Sequence, residues 1–197
     1  IKQFLRKPYM EGASFSLIVK DVHNGETVFA YDTLRQLTPA SVMKTVTTAT
    51  ALEILGEDYR FPTTLAYDGS IEKGLLKGNL YIKGSGDPSL GSAHFAPYHK
   101  RFLQEWISAL KKVGIHKIQG AVIADESIFD TEGTSFKWVG EDMGSYYGAG
   151  SYGLCVFDNL YKLGLQTGAP GSRPKLKGTE PELSGIHFHN YLTAQQV

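Results

Sequence analysis

Residues 36–56, QLTPASVMKTVTTATALEILG, read as a helix with Pro39 near its start and Gly56 at its stop. From position 36 to position 52 the only charged residue is Lys44. A helix with so little charge has apolar surface on every side, so it is expected to be nearly buried. Thr45, Thr47, Thr48 and Thr50 lower its intrinsic propensity, and packing has to hold it. Ser41 and Lys44 stand three residues apart at its first turn, where such positions share a face.

Upstream of this helix, SFSLIVKD and TVFAYD are rich in β-branched and aromatic residues and flank Asn24-Gly25, the pattern of a β-hairpin. Downstream of Gly56 the texture changes to short strands punctuated by glycine, in RFPTTLAYDGSI and GLLKGNLYIKGSGDPSLG. A second helix is expected from Tyr98 to Val113. There Phe102, Leu103, Trp106, Ile107, Leu110 and Val113 recur at spacings of three and four, with Lys100, Arg101, Glu105, Lys111 and Lys112 opposite and Gly114 as the stop. GIHKIQGAVIAD predicts another strand, and the remainder mixes short strands and loops. The fold class is therefore mixed α/β, of the α+β kind, with a domain boundary near residue 60.

The whole chain of 197 residues has 42% hydrophobic residues, enough for a core without staples. Its 20 basic and 20 acidic residues cancel, so the bulk charge calls for neither nucleic acid nor an anionic membrane. One cysteine excludes an internal disulfide framework. No apolar run approaches the roughly 18 residues of a membrane span. The first residues, IKQFLRKPYMEG, lack the apolar core of a secretory signal, leaving a cytosolic protein or a form already trimmed.

A serine three residues before a lysine on one helix face can give its proton to a neighbouring amine and act as a nucleophile. The pattern occurs four times, as Ser41/Lys44, Ser70/Lys73, Ser108/Lys111 and Ser172/Lys175, where chance predicts about one. Ser70 follows the Asp68-Gly69 turn, Ser172 sits between Gly171 and Pro174, and Lys111 belongs to a basic solvent face. Only Ser41 opens a helix beside a solitary cation. Backbone N–H groups of a first turn are available to a developing oxyanion, and a lysine among apolar neighbours loses hydration and becomes a base. The alternative is a helix-capping serine with a lysine that reaches out to solvent.

The stretch TPASVMKT, after the SLIVKD and TVFAYD hairpin, resembles the first motif of the serine penicillin-recognising enzymes. YIKGSGDPSL, KKVGIHKIQGAVIADESIFD and KWVGEDMGSYYGAGSYGLCVFDN are similar in order and spacing to low-molecular-mass class C penicillin-binding proteins, D-Ala-D-Ala carboxypeptidases and endopeptidases. The resemblance implies a penicillin-binding, β-lactamase-like transpeptidase fold with a strand-rich insertion. Residues 1–60 would belong to the penicillin-binding domain and 61–197 to the inserted class C domain. It implies acyl transfer from peptidoglycan stem peptides through Ser41, with Lys44 as the base of acylation, acylation by β-lactams, an extracytoplasmic or periplasmic location, and no cofactor. It also places Trp138 and Asp142 near the active-site mouth, Asp142 for a cationic group of the substrate and Trp138 as an apolar wall.

Two further motifs of that family, S-x-N and K-T-G, are not in this chain. Lys44-Thr45 is followed by Val46, and Ser151-Tyr152-Gly153 lacks the amide. The expectation is an amino-terminal portion of a longer protein, with those motifs past Val197 and little turnover from these residues alone. The missing motifs also keep open a peptidoglycan-binding module without catalysis, and a serine β-lactamase is a third reading. Elsewhere, His187 and His189 alternate in an expected solvent-facing strand, IHFHN, and do not make a metal site by themselves. Gly84-Ser85-Gly86 reads as a structural turn, and Cys155 as a buried small hydrophobe in an apolar strand.

Overall fold

The structure is a computed structural model that describes residues 1–98 and 101–196. It divides into two compact units, Ile1–Tyr59 and Arg60–Val197.

In the first unit, a one-turn helix α1 (Lys2–Leu5) precedes strands β1 (Leu17–Lys20) and β2 (Thr27–Tyr31), which pair antiparallel with Leu17 opposite Tyr31. Phe15 stacks between Phe4 and Tyr31, with ring centroids 5.7 and 6.0 Å away. The connection is longer than an Asn-Gly turn. Of that pair only Gly25 has a positive φ, because Asn24 Oδ1 accepts the Glu26 N–H at 2.9 Å and Asp21 Oδ1 accepts that of His23 at 2.8 Å. A 3-10 turn (Ala40–Val42) then leads into helix α2 (Met43–Leu55). Gly56, with φ 80°, ends it and donates its N–H to the Leu52 carbonyl at 3.0 Å.

Helix α2 is exposed along its whole length, contrary to the near burial expected. Val42, Val46 and Ile54 keep 71, 59 and 74% of their surface in solvent. A helix apolar all round needs neighbours on every side, and a two-stranded ribbon and one helical turn are too little for that. Thr47 and Thr48 turn their hydroxyls back to the Met43 and Lys44 carbonyls, at 3.2 and 2.8 Å, which satisfies these groups within the helix.

The second unit opens on a long hairpin. Strands β3 (Thr64–Tyr67) and β4 (Ser70–Glu72) run up, and β5 (Leu75–Lys77) and β6 (Leu80–Lys83) run back. Lys73 and Gly74, both at positive φ, make the two-residue turn between Glu72 and Leu75. Helix α3 (Arg101–Lys112) carries the chain across to β7 (Lys117–Ile118), parallel to β5, and β8 (Val122–Asp125), parallel to β6. The registers make this one three-stranded sheet broken at mid-length. At the break, a Cβ on Gly69, Gly78 or Gly120 would fall within 2.2 Å of the backbone oxygens of Lys77, Asp68 and Gly78 respectively, so the strands cross there only without side chains.

The core of this unit is Leu76, Leu80 and Ile115, with Ile71, Leu110 and Ile118 against them. The end of α3 explains how Ile115 gets there. Gly114 takes φ 89° and donates to the Lys111 carbonyl at 3.0 Å, while Ile115 donates to that of Leu110 at 2.9 Å. These are the two bonds of a Schellman cap, and its apolar contact is Ile115 on Leu110. The buried stripe of α3 is narrower than the apolar spacing predicts. Phe102 is buried, Trp106 and Leu110 are half-buried, and Leu103, Ile107 and Val113 are exposed. His99 and Lys100, in the expected first turn, lie outside the described residues.

After β8 the chain runs through loops and three 3-10 turns to the antiparallel pair β9 (Lys162–Gln166) and β10 (Lys175–Glu180). Cys155 is not in a strand. It is half-buried in a loop, where its Sγ accepts the Tyr152 N–H at 3.3 Å and the Asn159 amide at 3.4 Å. His187 and His189 are exposed and not in a strand, because IHFHN finds no pairing partner among the described residues.

Candidate active site

Ser41 is the middle residue of the 3-10 turn, and Lys44 is the second residue of α2. The spacing of three brings them together: Lys44 Nζ donates to Ser41 Oγ at 3.0 Å. Of the four S-x-x-K pairs, this is the one whose serine and lysine are hydrogen-bonded among the described residues. Ser172 Oγ is committed to the Ala169 carbonyl at 2.6 Å.

Two local features around Ser41 are not visible in residue types. Ala40 has φ 45°, in the left-handed region that a residue with a Cβ rarely enters, and it directly precedes the serine. The Ser41 N–H makes no hydrogen bond among the described residues, whereas those of Val42 and Met43 are used, Val42 donating to the Pro39 carbonyl at 3.0 Å. Ser41 and Lys44 are exposed, so the apolar enclosure expected around Lys44 is not formed by these residues. The reason is the one given for α2 as a whole.

Trp138 and Asp142 belong to the second unit, in two successive tight turns. Trp138 donates its N–H to the Ser135 carbonyl at 3.0 Å, and Asp142, in the 3-10 turn Gly140–Asp142, donates to that of Val139 at 3.1 Å. Trp138 is 41% exposed. Asp142 is half-buried, and its carboxylate is unpaired among the described residues. A cavity of about 370 Å³ opens in the same unit between Tyr146, Phe157 and Tyr161, and none of the four candidate residues lines it. Phe157 and Asp158, which line it, are the first two of three consecutive left-handed residues that end at Asn159. No group of three or more His, Cys, Asp or Glu side chains suited to a metal ion occurs among the described residues. No described helix is long and apolar enough to cross a membrane.

A mixed α/β chain with a hydrogen-bonded serine and lysine at a helix start is of the class expected from the penicillin-recognising motif. The chain belongs to the D-Ala-D-Ala carboxypeptidase 3 (S13) family, whose sequence profile matches residues 1–196. It is 33% identical over 156 residues to a D-alanyl-D-alanine carboxypeptidase of Actinomadura sp. (strain R39), covering 79% of this chain and 28% of that protein. It is 29% identical over 133 residues to D-alanyl-D-alanine carboxypeptidase DacB of Haemophilus influenzae, covering 68% of this chain and 26% of that one. The fold is similar to the crystal structure of penicillin binding protein 4 (dacB) from H. influenzae, with TM-score 0.68 and 28% identity over 81% of this chain and 34% of that one. A second structure of that protein, in complex with a novel β-lactam, matches with TM-score 0.57 and 26% identity. The chain thus spans between a quarter and about a third of the length of these relatives.

Proposed function

We propose that this chain carries the nucleophile and acylation base of a serine DD-peptidase that cleaves the terminal D-Ala-D-Ala, or a D-Ala cross-link, of peptidoglycan stem peptides. The observation that carries the reading is the 3.0 Å hydrogen bond between Lys44 Nζ and Ser41 Oγ at the opening of α2. In the reaction, Lys44 Nζ takes the Ser41 proton as Oγ attacks the carbonyl carbon of the penultimate D-alanine. The C–N bond then breaks, the terminal D-alanine leaves as an amine after gaining a proton, and an ester on Ser41 remains. Water or an acceptor amine resolves that ester. The uncommitted Ser41 N–H is a donor for the tetrahedral oxyanion.

Residues 1–60 are the amino-terminal part of the penicillin-binding domain in this reading, and 61–197 belong to the class C insertion. Asp142 receives a cationic end of the stem-peptide side chain, supported by its unpaired carboxylate, and Trp138 lines the way to it. The same serine takes up β-lactams, and the protein works outside the cytoplasm, where peptidoglycan is. The test is release of D-alanine from a peptide ending in D-Ala-D-Ala by the intact protein. We expect Ser41→Ala to reduce release to background; release undiminished in that variant would overturn the assignment.

A further inference from the structure

The zero net charge of the chain conceals a local excess. From position 159 to position 179 it carries Lys162, Arg173, Lys175 and Lys177 and no acidic residue. Arg173 and Lys175 meet at one place, the open end of the β9–β10 ribbon. There a concavity of about 350 Å³ is lined by Gln166, Thr167, Ser172, Arg173 and Lys175, together with Gly168 and Ala169. Arg173 and Lys175 are exposed on either side of buried Pro174, and Lys175 stands opposite Gln166 in the ladder. Neither cation has an ion-pair partner among the described residues.

The loop that holds Arg173 is fixed in place. Gly171 donates to the Ala194 carbonyl at 2.8 Å, and Ala194 donates back to that of Ser172 at 2.9 Å. The Asn190 amide donates to the Pro174 carbonyl at 2.7 Å, and Ser172 closes the turn on Ala169. A guanidinium and an ammonium held without counter-ions, beside an amide and a hydroxyl, form a donor-rich concavity for an oxyanion with neighbouring hydroxyls. No aromatic ring lines it to stack a nucleobase, and no large apolar side chain lines it to enter a lipid.

We propose that this ribbon end binds acidic polysaccharide, with Arg173 and Lys175 on its carboxylate or phosphodiester groups and Gln166 and Thr167 on its sugar hydroxyls. The test is affinity electrophoresis of the intact protein through native gels containing polygalacturonate, phosphomannan or neutral dextran. We expect retardation by one or both acidic polymers and none by dextran; which polymer acts identifies the oxyanion. Arg173→Gln with Lys175→Gln should weaken retardation on the order of tenfold. The charge-matched control, Lys111→Gln with Lys112→Gln on exposed α3, should leave it intact. The proposal is overturned if neither acidic polymer retards the protein, if the control loses as much as the site variant, or if oligodeoxythymidylate is the stronger competitor.

Discussion

Ala40 holds a backbone angle that β-branched residues avoid, and Ser41, the proposed nucleophile, follows it immediately. The left-handed turn at Ala40 breaks the approach from Pro39, so that Ser41 enters the 3-10 turn already aimed along one face with Lys44. Replacing Ala40 by glycine should leave acylation by a β-lactam unchanged, because glycine adopts this φ freely. Valine there should slow acylation by about tenfold, since the conformation costs it about 1–2 kcal/mol more. Stopped-flow acylation rates of the two variants check this. Lys44→Met keeps the helix and removes the amine; we expect acylation to fall by about 10²–10⁴, the usual worth of a positioned base. At this scale residue type and helix position singled out, of four pairs, the one whose serine and lysine are hydrogen-bonded among the described residues. Ala40 was not legible, because an alanine carries no sign of the backbone angle it will take.

Among the elements, the broken sheet of the second unit is tied at its break by one carboxylate. Asp68 Oδ1 accepts the Asn79 N–H at 2.6 Å, and Oδ2 accepts the Asn79 amide at 3.0 Å and the Tyr81 hydroxyl at 2.8 Å. Asn79 Oδ1 in turn accepts the Ala121 N–H at 3.0 Å, so all three long strands are joined. These donors, the Asn79 N–H foremost, then the Tyr81 hydroxyl and the Asn79 amide, hold Asp68 below the ordinary carboxylate range. A folded pKa below the unfolded one adds stability that is present above the unfolded value, about 4, and lost as pH falls through the folded value. Thermal melts of the protein should therefore lose stability below about pH 4, and Asp68→Asn should flatten that loss. An unchanged acid slope in the variant would remove Asp68 from this role. The hairpin, both helices and the glycine stops were readable because periodicity and caps are local. The IHFHN segment was not, since alternation marks a strand only where another strand is there to pair with it. The narrow stripe of α3 likewise depends on how far the sheet reaches, which Leu103 and Ile107 cannot announce.

For the whole molecule, the two units differ in what holds them. The second has a core around Leu76, whereas in the first no described residue is buried and α2 presents its apolar residues to solvent. Composition pointed to a chain able to bury a core, and it does so in one unit only. The neutral bulk charge was equally silent about the basic ribbon end, because a sum over the chain cannot register where Arg173 and Lys175 meet. Membership of the S13 family is shown by a profile match to residues 1–196, while identity with the curated relatives covers about a quarter of their length. The catalytic role of Ser41 is therefore the claim on which the proposed function rests. Intact-mass measurement of the protein after incubation with a β-lactam, followed by peptide mapping, tests it most directly. We expect one adduct, located on Ser41 and absent from Ser41→Ala; no adduct, or one that persists in Ser41→Ala, would contradict it.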